Sequence, residues 1–336
     1  MTLAAALPAH GTAGDGGLRR RRSLLVCTGA MLLALPRSPA AAAQTPSTGS
    51  GSPLLRLGTS TPGGGFAQYG AALERLLKQA DGRPLLQARL TRGTAENLVL
   101  LQNGDIDAAL IQGTAASEVL AQGEAGGLRI LWAMYPSPGM LAVPTASSAQ
   151  RLEDLRGQPV VFGVRSSGLV TLARQVFSGI GLDIDRDFQA LYVEQAAQSP
   201  LLVQSGRAAG LWGAGDGWPG FVQLANGPGG ARFIGPTAAQ TAQILARHPL
   251  LQAMQLPAGS YPGMTAPLST VGSVNLILVR DSLADDRAAA FVQAMEQAAP
   301  ALAAALPQAA FGTRANTLAS APAPALLHRV LQPVRN

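Results

Sequence analysis

Leu54–Gly70 reads LLRLGTSTPGGGFAQYG, and the fold of the chain turns on how this stretch is understood. Leu54, Leu55 and Leu57 form a short apolar run that breaks at Gly58, while Phe66, Tyr69, Leu73 and Leu76 recur at helical spacing beyond Gly65. The stretch therefore reads as strand, loop and helix. Backbone N–H groups at a helix start have no intrahelical partner, and the helix dipole adds positive charge there, so such a loop attracts an anion. GTSTPGGG lacks the Gly-Lys spacing of a phosphate-binding P-loop and does not fit G-x-G-x-x-G. Two readings stay open here: a ligand loop, or a tight strand-to-helix turn that binds nothing.

Outward from this stretch, the amino terminus has the layout of an export signal. Arg19–Arg22 precede an apolar run over Leu24–Leu35, and small residues lead to Ala41-Ala42-Ala43. Residues 1–43 are expected to be a signal peptide cleaved after Ala43, and Gln44–Pro53, QTPSTGSGSP, a linker with nothing to bury. The expected destination is the periplasm. Arg21-Arg22-Ser23-Leu24-Leu25 also loosely fits a twin-arginine signal, so the export route stays open. The leader carries Arg19–Arg22, Arg37 and Asp15, so about +2 of the formal net charge of +6 belongs to the mature chain. With no Lys/Arg run beyond residue 43, nucleic acid is not an expected partner. Cys27 lies in the leader, which removes disulfides, thiolate nucleophiles and cysteine metal sites together. Only His248 and His328 remain beyond the leader, far apart, and no metal or cofactor is expected. No later apolar run approaches the ~18 residues that a spanning helix needs.

The chain then alternates. A strand over Pro84–Leu90 leads to a helix opening at Arg92-Gly93-Thr94, with Thr94 as its N-cap. DAALIQ, Asp107–Gln112, reads as a buried parallel strand. Leu128–Tyr135 and Met140–Val143 read as two strands around Pro136-Ser137-Pro138-Gly139, and Asp105 and Asp107 as a turn entering a strand. From about Pro144 the opening arrangement is echoed: a strand over Pro159–Val164, then Arg165-Ser166-Ser167-Gly168 starting a helix. VGSVNLILV, Val271–Val279, reads as a return crossing, followed by a long alanine-rich helix over Asp281–Leu306. The expectation is an α/β fold of two lobes, each a mainly parallel sheet flanked by helices, joined by two hinge strands. Lobe 1 would comprise residues 54–143 and 271–336, lobe 2 residues 144–270.

Four segments resemble the TAXI family of solute-binding subunits of TRAP transporters, whose fold is of the type II periplasmic-binding-protein kind. They are LGTSTPGGGFAQYGAALERLL, RGTAENLVLLQNGDIDAALIQ, RILWAMYPSP followed by LEDLRGQPVVFGVRSSG, and LPAGSYPGM preceding STVGS. The resemblance implies a monomeric, non-enzymatic, extracytoplasmic protein. It would capture a small organic anion, glutamate-, dicarboxylate- or oxo-acid-like, by cleft closure and deliver it to TRAP-type membrane permease subunits. The family's first ligand loop falls on Thr59, Ser60, Thr61, Gly63, Gly64 and Phe66, with Tyr69 close behind; the family often has Tyr where Phe66 stands. Its second loop, Thr-Gly-Gly-Ser-x-x-Asn, becomes Thr91 to Asn97, with Arg92 replacing a glycine beside Gly93 and Thr94. A third loop falls at Gln112. The fourth, Ser-Gly-Thr, is here Ser167-Gly168-Leu169, after Arg165 and Ser166. The family's Ala-Gly-x-Pro becomes Ala214-Gly215-Asp216-Gly217-Trp218-Pro219, two residues longer.

Arg92 and Arg165 stand at loop starts on opposite lobes. Each could clamp a carboxylate through charge-assisted hydrogen bonds of ~1.5–3 kcal/mol, or point to solvent from the rims. Asp216 beside Trp218 could accept a ligand ammonium against an indole wall, or mark a surface turn. Ser166-Ser167-Gly168 lacks the G-x-S-x-G elbow, and no Ser-His-acid set converges. A sensor subunit for a membrane receptor, or an enzyme on the same scaffold, are the rival readings.

Overall fold

The computed structural model describes residues 54–79 and 81–332. The expected leader and linker lie outside them. In the first half, strands β1 (Leu55–Gly58), β2 (Leu86–Arg89) and β3 (Ala108–Ile111) alternate with helices α1 (Gly65–Leu76), α2 (Thr94–Asn103) and α3 (Gly113–Leu120). Then comes β4 (Leu128–Val143). The second half contains β5 (Pro159–Gly163), α4 (Gly168–Gly179), β6 (Gln189–Tyr192), α5 (Ser199–Gln204), β7 (Gly210–Ala214) and α6 (Pro219–Ala225). It continues through β8 (Arg232–Ile234), α7 (Ala238–Arg247) and β9 (Gln252–Leu256). β10 (Leu268–Arg280) returns to the first half, which ends with α8 (Asp285–Ala305) and α9 (Arg314–Ala319).

Strand pairing runs β2-β1-β3-β10-β4-β7-β5-β6, with β8 on β4 and β9 on β10. β1 is parallel to β2 and β3, and β5 is parallel to β6 and β7, as expected of strands connected through helices. β4 and β10 pair antiparallel with each other and with their other neighbours. They are the two long members and serve both halves. Residues of β4 up to Tyr135 and of β10 from Leu276 belong to a first core with β1, β3 and α8. Beyond that the alternation of strand side chains divides two further cores: Leu141, Val143, Val160 and Phe162 face one, Met140, Ala142 and Val161 the other. The second half's sheet is therefore covered on both faces, which explains its near-continuous apolar strands.

The structure corrects two local readings. Pro136 and Pro138 suggested a break between two strands, because proline cannot donate to a ladder, yet β4 is one 16-residue strand. β10 accommodates the prolines with a register shift between Val274 and Leu276, and with Gly272 opposite Pro138. A Cβ on Gly272 would stand 2.2 Å from the Ser137 carbonyl oxygen, so glycine permits the strands to meet there. Thr94 is also not the N-cap of α2. That place belongs to Gly93, whose φ of 103° suits glycine, and Thr94 is the first helical residue, its Oγ1 accepting from the Gln112 N–H at 3.1 Å. Asp107 enters β3 as expected and is bound by Arg56, whose Nη2 lies 3.0 Å from its Oδ1.

Candidate functional site

Carboxyl ends of parallel strands and amino ends of the following helices meet between the two halves around a cleft. Its empty space is about 790 Å³, solvent mouth included. The first half contributes the β1–α1 loop (Ser60, Thr61, Gly64), the start of α1 (Gly65, Phe66), the β2–α2 loop (Arg92, Gly93), Thr94 and Gln112. The second half contributes Val164 and Ser167, the start of α4 (Gly168, Leu169), Ala196 and Ser199, and the β7–α6 turn with Asp216 and Trp218. Tyr135, Ser137 and Asn275 supply the floor from β4 and β10, and Gln308 reaches in from beyond α8.

The two halves touch across this cleft. The Ala196 N–H donates to Thr61 Oγ1 at 3.1 Å, and the Ala197 N–H donates to the Pro62 carbonyl at 3.1 Å. The Ser166 hydroxyl donates to the Arg92 carbonyl at 3.3 Å, and Arg92 Nη2 lies 3.5 Å from a Glu194 carboxylate oxygen. Further along, the Thr114 hydroxyl is 2.9 Å from Gln175 Oε1. Direct polar contacts thus bridge the two halves at the mouth.

Of the residues singled out in sequence, Ser60, Thr61, Gly64, Phe66, Arg92, Gly93, Thr94, Gln112, Ser167, Asp216 and Trp218 line the cleft. Thr59, Gly63, Tyr69, Asn97, Arg165 and Ser166 do not. Thr59 is buried, and its hydroxyl donates to the Arg89 carbonyl at 2.9 Å. Asn97 is fully buried and ties the loops together. Its Nδ2 donates to the carbonyls of Thr59 (2.8 Å) and Leu110 (2.9 Å), and its Oδ1 accepts from the Thr91 hydroxyl (2.7 Å). Tyr69 sits in the first core with its ring 5.3 Å from that of Tyr135. Gly63 packs against Ala197, where its φ of 79° also favours glycine. Ser166 spends its hydroxyl on Arg92. Arg165 stacks on Tyr192, its guanidinium carbon 3.7 Å from the ring centroid, and lies 3.9 Å from Asp185. Burial and the hydrogen bond to Asp185 push the Tyr192 hydroxyl up to about 12.

Several polar atoms of the lining are buried and unpartnered among the described residues: Ser167 Oγ, Ser199 Oγ and Asn275 Oδ1. Ser199 and Asn275 are 0% and 2% exposed. A buried polar atom without a partner costs ~1–3 kcal/mol, so these three are candidate contacts for a ligand in the cleft. Asn275 is otherwise engaged, its Nδ2 donating to Ser137 Oγ at 2.5 Å. Gln112, by contrast, is tied down at both ends of its amide. Its Nε2 donates to Ser273 Oγ at 2.8 Å, and its Oε1 caps α3 by accepting from the Ala115 N–H at 3.2 Å. Burial pushes the Tyr135 hydroxyl well above its ordinary range. Tyr135, which sequence left open between cleft wall and core, lines the cleft, whereas Ser137, Ser199, Asn275 and Gln308 escaped sequence reading; the one visible trace was a polar Asn275 inside the apolar run VGSVNLILV. No cluster of three His, Cys, Asp or Glu suited to a metal ion occurs among the described residues, and none of their helices is long and apolar enough to cross a membrane.

Residues 57–329 match the NMT1-like family. No curated protein matches the chain. Among solved structures, the chain is similar to the binding-protein component of an ABC phosphonate transporter from Pseudomonas aeruginosa. The identity is 14%, over 76% of this chain and 80% of that one, with a TM-score of 0.51. It is also similar to a structure described as a periplasmic transporter, at 12% identity over 76% of this chain and 87% of that one, again with a TM-score of 0.51. The likeness is one of fold: the two-lobed α/β architecture of periplasmic binding proteins.

Proposed function

The chain belongs to the NMT1-like family, and we propose that it is an extracytoplasmic solute-binding protein that closes on a small organic acid and hands it to a TRAP-type membrane permease. The observation that carries this reading is the cleft itself. Loops of both halves meet over it through direct hydrogen bonds, while Ser199 and Asn275 keep buried polar atoms unpartnered inside. Residues 54–143 with the segment after β10 act as one lobe, and residues between β4 and β10 as the other, with β4 and β10 as the hinge. A ligand that contacts both lobes stabilises the closed arrangement, because only there are all its interactions made. The first-turn amides of α1 and α4 supply donors and positive dipole ends for a carboxylate. The four sequence segments that resemble the TAXI family support the TRAP-type permease as recipient, acting on a monomeric binding protein from the periplasm. No cofactor is invoked, and no reaction on the ligand.

Of the two arginines, Arg92 is the one we assign to the ligand. Its side chain is 68% exposed and its ion pair with an 84% exposed Glu194 is worth only ~0–1 kcal/mol, so it is free to turn to a carboxylate. Arg165 is engaged with Tyr192 and Asp185 outside the cleft. Calorimetric titration with L-glutamate, succinate and 2-oxoglutarate is expected to give saturable binding of at least one of them, with the compound recovered unchanged. Arg92→Ala should weaken that binding by ~3- to 10-fold, and Arg165→Ala by less than about twofold. Conversion of the compound would overturn the binding-protein reading. Equal effects of the two substitutions would overturn the assignment of Arg92.

A further inference from the structure

The β7–α6 turn, Gly215-Asp216-Gly217-Trp218, is two residues longer than the loop it resembles, and it brings an acid into the cleft. The turn is firmly held. The Tyr261 hydroxyl donates to the Gly215 carbonyl at 2.8 Å and accepts from the Trp218 N–H at 3.0 Å. The Gly215 N–H donates to the Pro138 carbonyl at 3.0 Å. Trp218 is buried with its ring 4.9 Å from that of Phe221. Gly215, at a φ of 100°, lets the chain make this corner, and Gly217 faces Gln308 of the other half.

Asp216 is half-buried, and no Lys, Arg or His among the described residues forms an ion pair with it. Burial pushes its carboxyl above the ordinary range, against the pull of the Gly217 N–H. The charged side chains that line the cleft are Arg92 at the mouth and Asp216, one of each sign. A dicarboxylate without an ammonium would place a second negative group beside Asp216, which disfavours ionisation of both. A ligand carrying one carboxylate and one ammonium leaves no charge unmatched. Asn275 Oδ1, buried and without a donor, adds a second acceptor in the same lining.

We infer that Asp216 is a specificity-determining residue that demands a positively charged nitrogen on the ligand and selects against oxo acids and dicarboxylates of the same size that lack one. This rests on the solute-binding reading and narrows it. Matched pairs that differ only at the nitrogen isolate the effect: L-glutamate against 2-oxoglutarate, and L-leucine against 4-methyl-2-oxopentanoate, titrated into the full chain. In at least one pair the amino member should bind ~30-fold or more tightly than its oxo partner, because a buried charge would otherwise lose its partner. Asp216→Asn should reduce that ratio below ~3-fold, with a melting temperature equal to or above that of the unaltered protein. Oxo members binding as tightly as amino members, or a ratio unchanged in Asp216→Asn, would overturn the inference and leave the solute-binding reading standing. Absence of saturable binding by every compound in both pairs and by succinate would overturn both. The ratio in the unaltered protein decides the matter even if the variant fails to fold.

Discussion

Gly168→Val should weaken ligand binding by on the order of 100-fold or more, about 3 kcal/mol, while leaving the protein folded. Gly168 begins α4 at the cleft wall, and a Cβ there would stand 2.3 Å from Gln112 Cβ and 2.8 Å from Gln112 Cγ and Thr94 Oγ1, all on the opposite lobe. These are not the loose ends of flexible side chains. Gln112 is fixed at both ends, to Ser273 and to the first turn of α3. The lobes must therefore separate to admit a valine, and only the open form remains. Because the contact is lost when the lobes part, the unliganded protein should melt within a few degrees of the unaltered one. Binding of undiminished affinity in Gly168→Val, measured by calorimetry, would mean that closure is not needed.

Phe177→Ala should have the largest effect on stability, ~3–5 kcal/mol. Phe177 is fully buried on α4, with ring centroids of Phe188, Trp212 and Phe162 at 5.1, 5.4 and 5.7 Å, all edge-on. Its removal leaves a cavity among large, rigid rings that cannot collapse to fill it. At ~2–4 °C per kcal/mol for a chain of this size, the melting temperature should fall by about 6–20 °C. A loss below ~1 kcal/mol in thermal unfolding would show that this cluster does not carry the second lobe.

The alternation of strands and helices was legible because strands buried on both faces write themselves as short apolar runs, such as DAALIQ and VGSVNLILV. Glycine- and hydroxyl-rich loops then punctuate them at the ligand end. The continuity of β4 was not legible. Pro136 and Pro138 signal a break locally, and the partner that overrides it, β10, lies about 130 residues away. For the site, loop residues stood out by type, yet type did not reveal direction. Thr59 and Asn97 look like ligand groups, but their hydrogen bonds hold the backbone of the loops. Arg165 sits at a loop start, but an aromatic ring and an acid next to it in space draw it away. Ser137 and Asn275 were missed, and Tyr135 stayed open between wall and core, because side chains along a strand alternate between core and cleft, and only the tertiary arrangement says which positions reach the cleft. Gln308 enters from a segment with no motif at all.

Small-angle X-ray scattering of the unaltered protein, with and without a saturating compound identified by calorimetry, tests cleft closure most directly. The radius of gyration is expected to fall on binding in the unaltered protein and to stay constant in Gly168→Val at the same concentration. Superimposable curves for the free and saturated forms of the unaltered protein would contradict a hinge at β4 and β10.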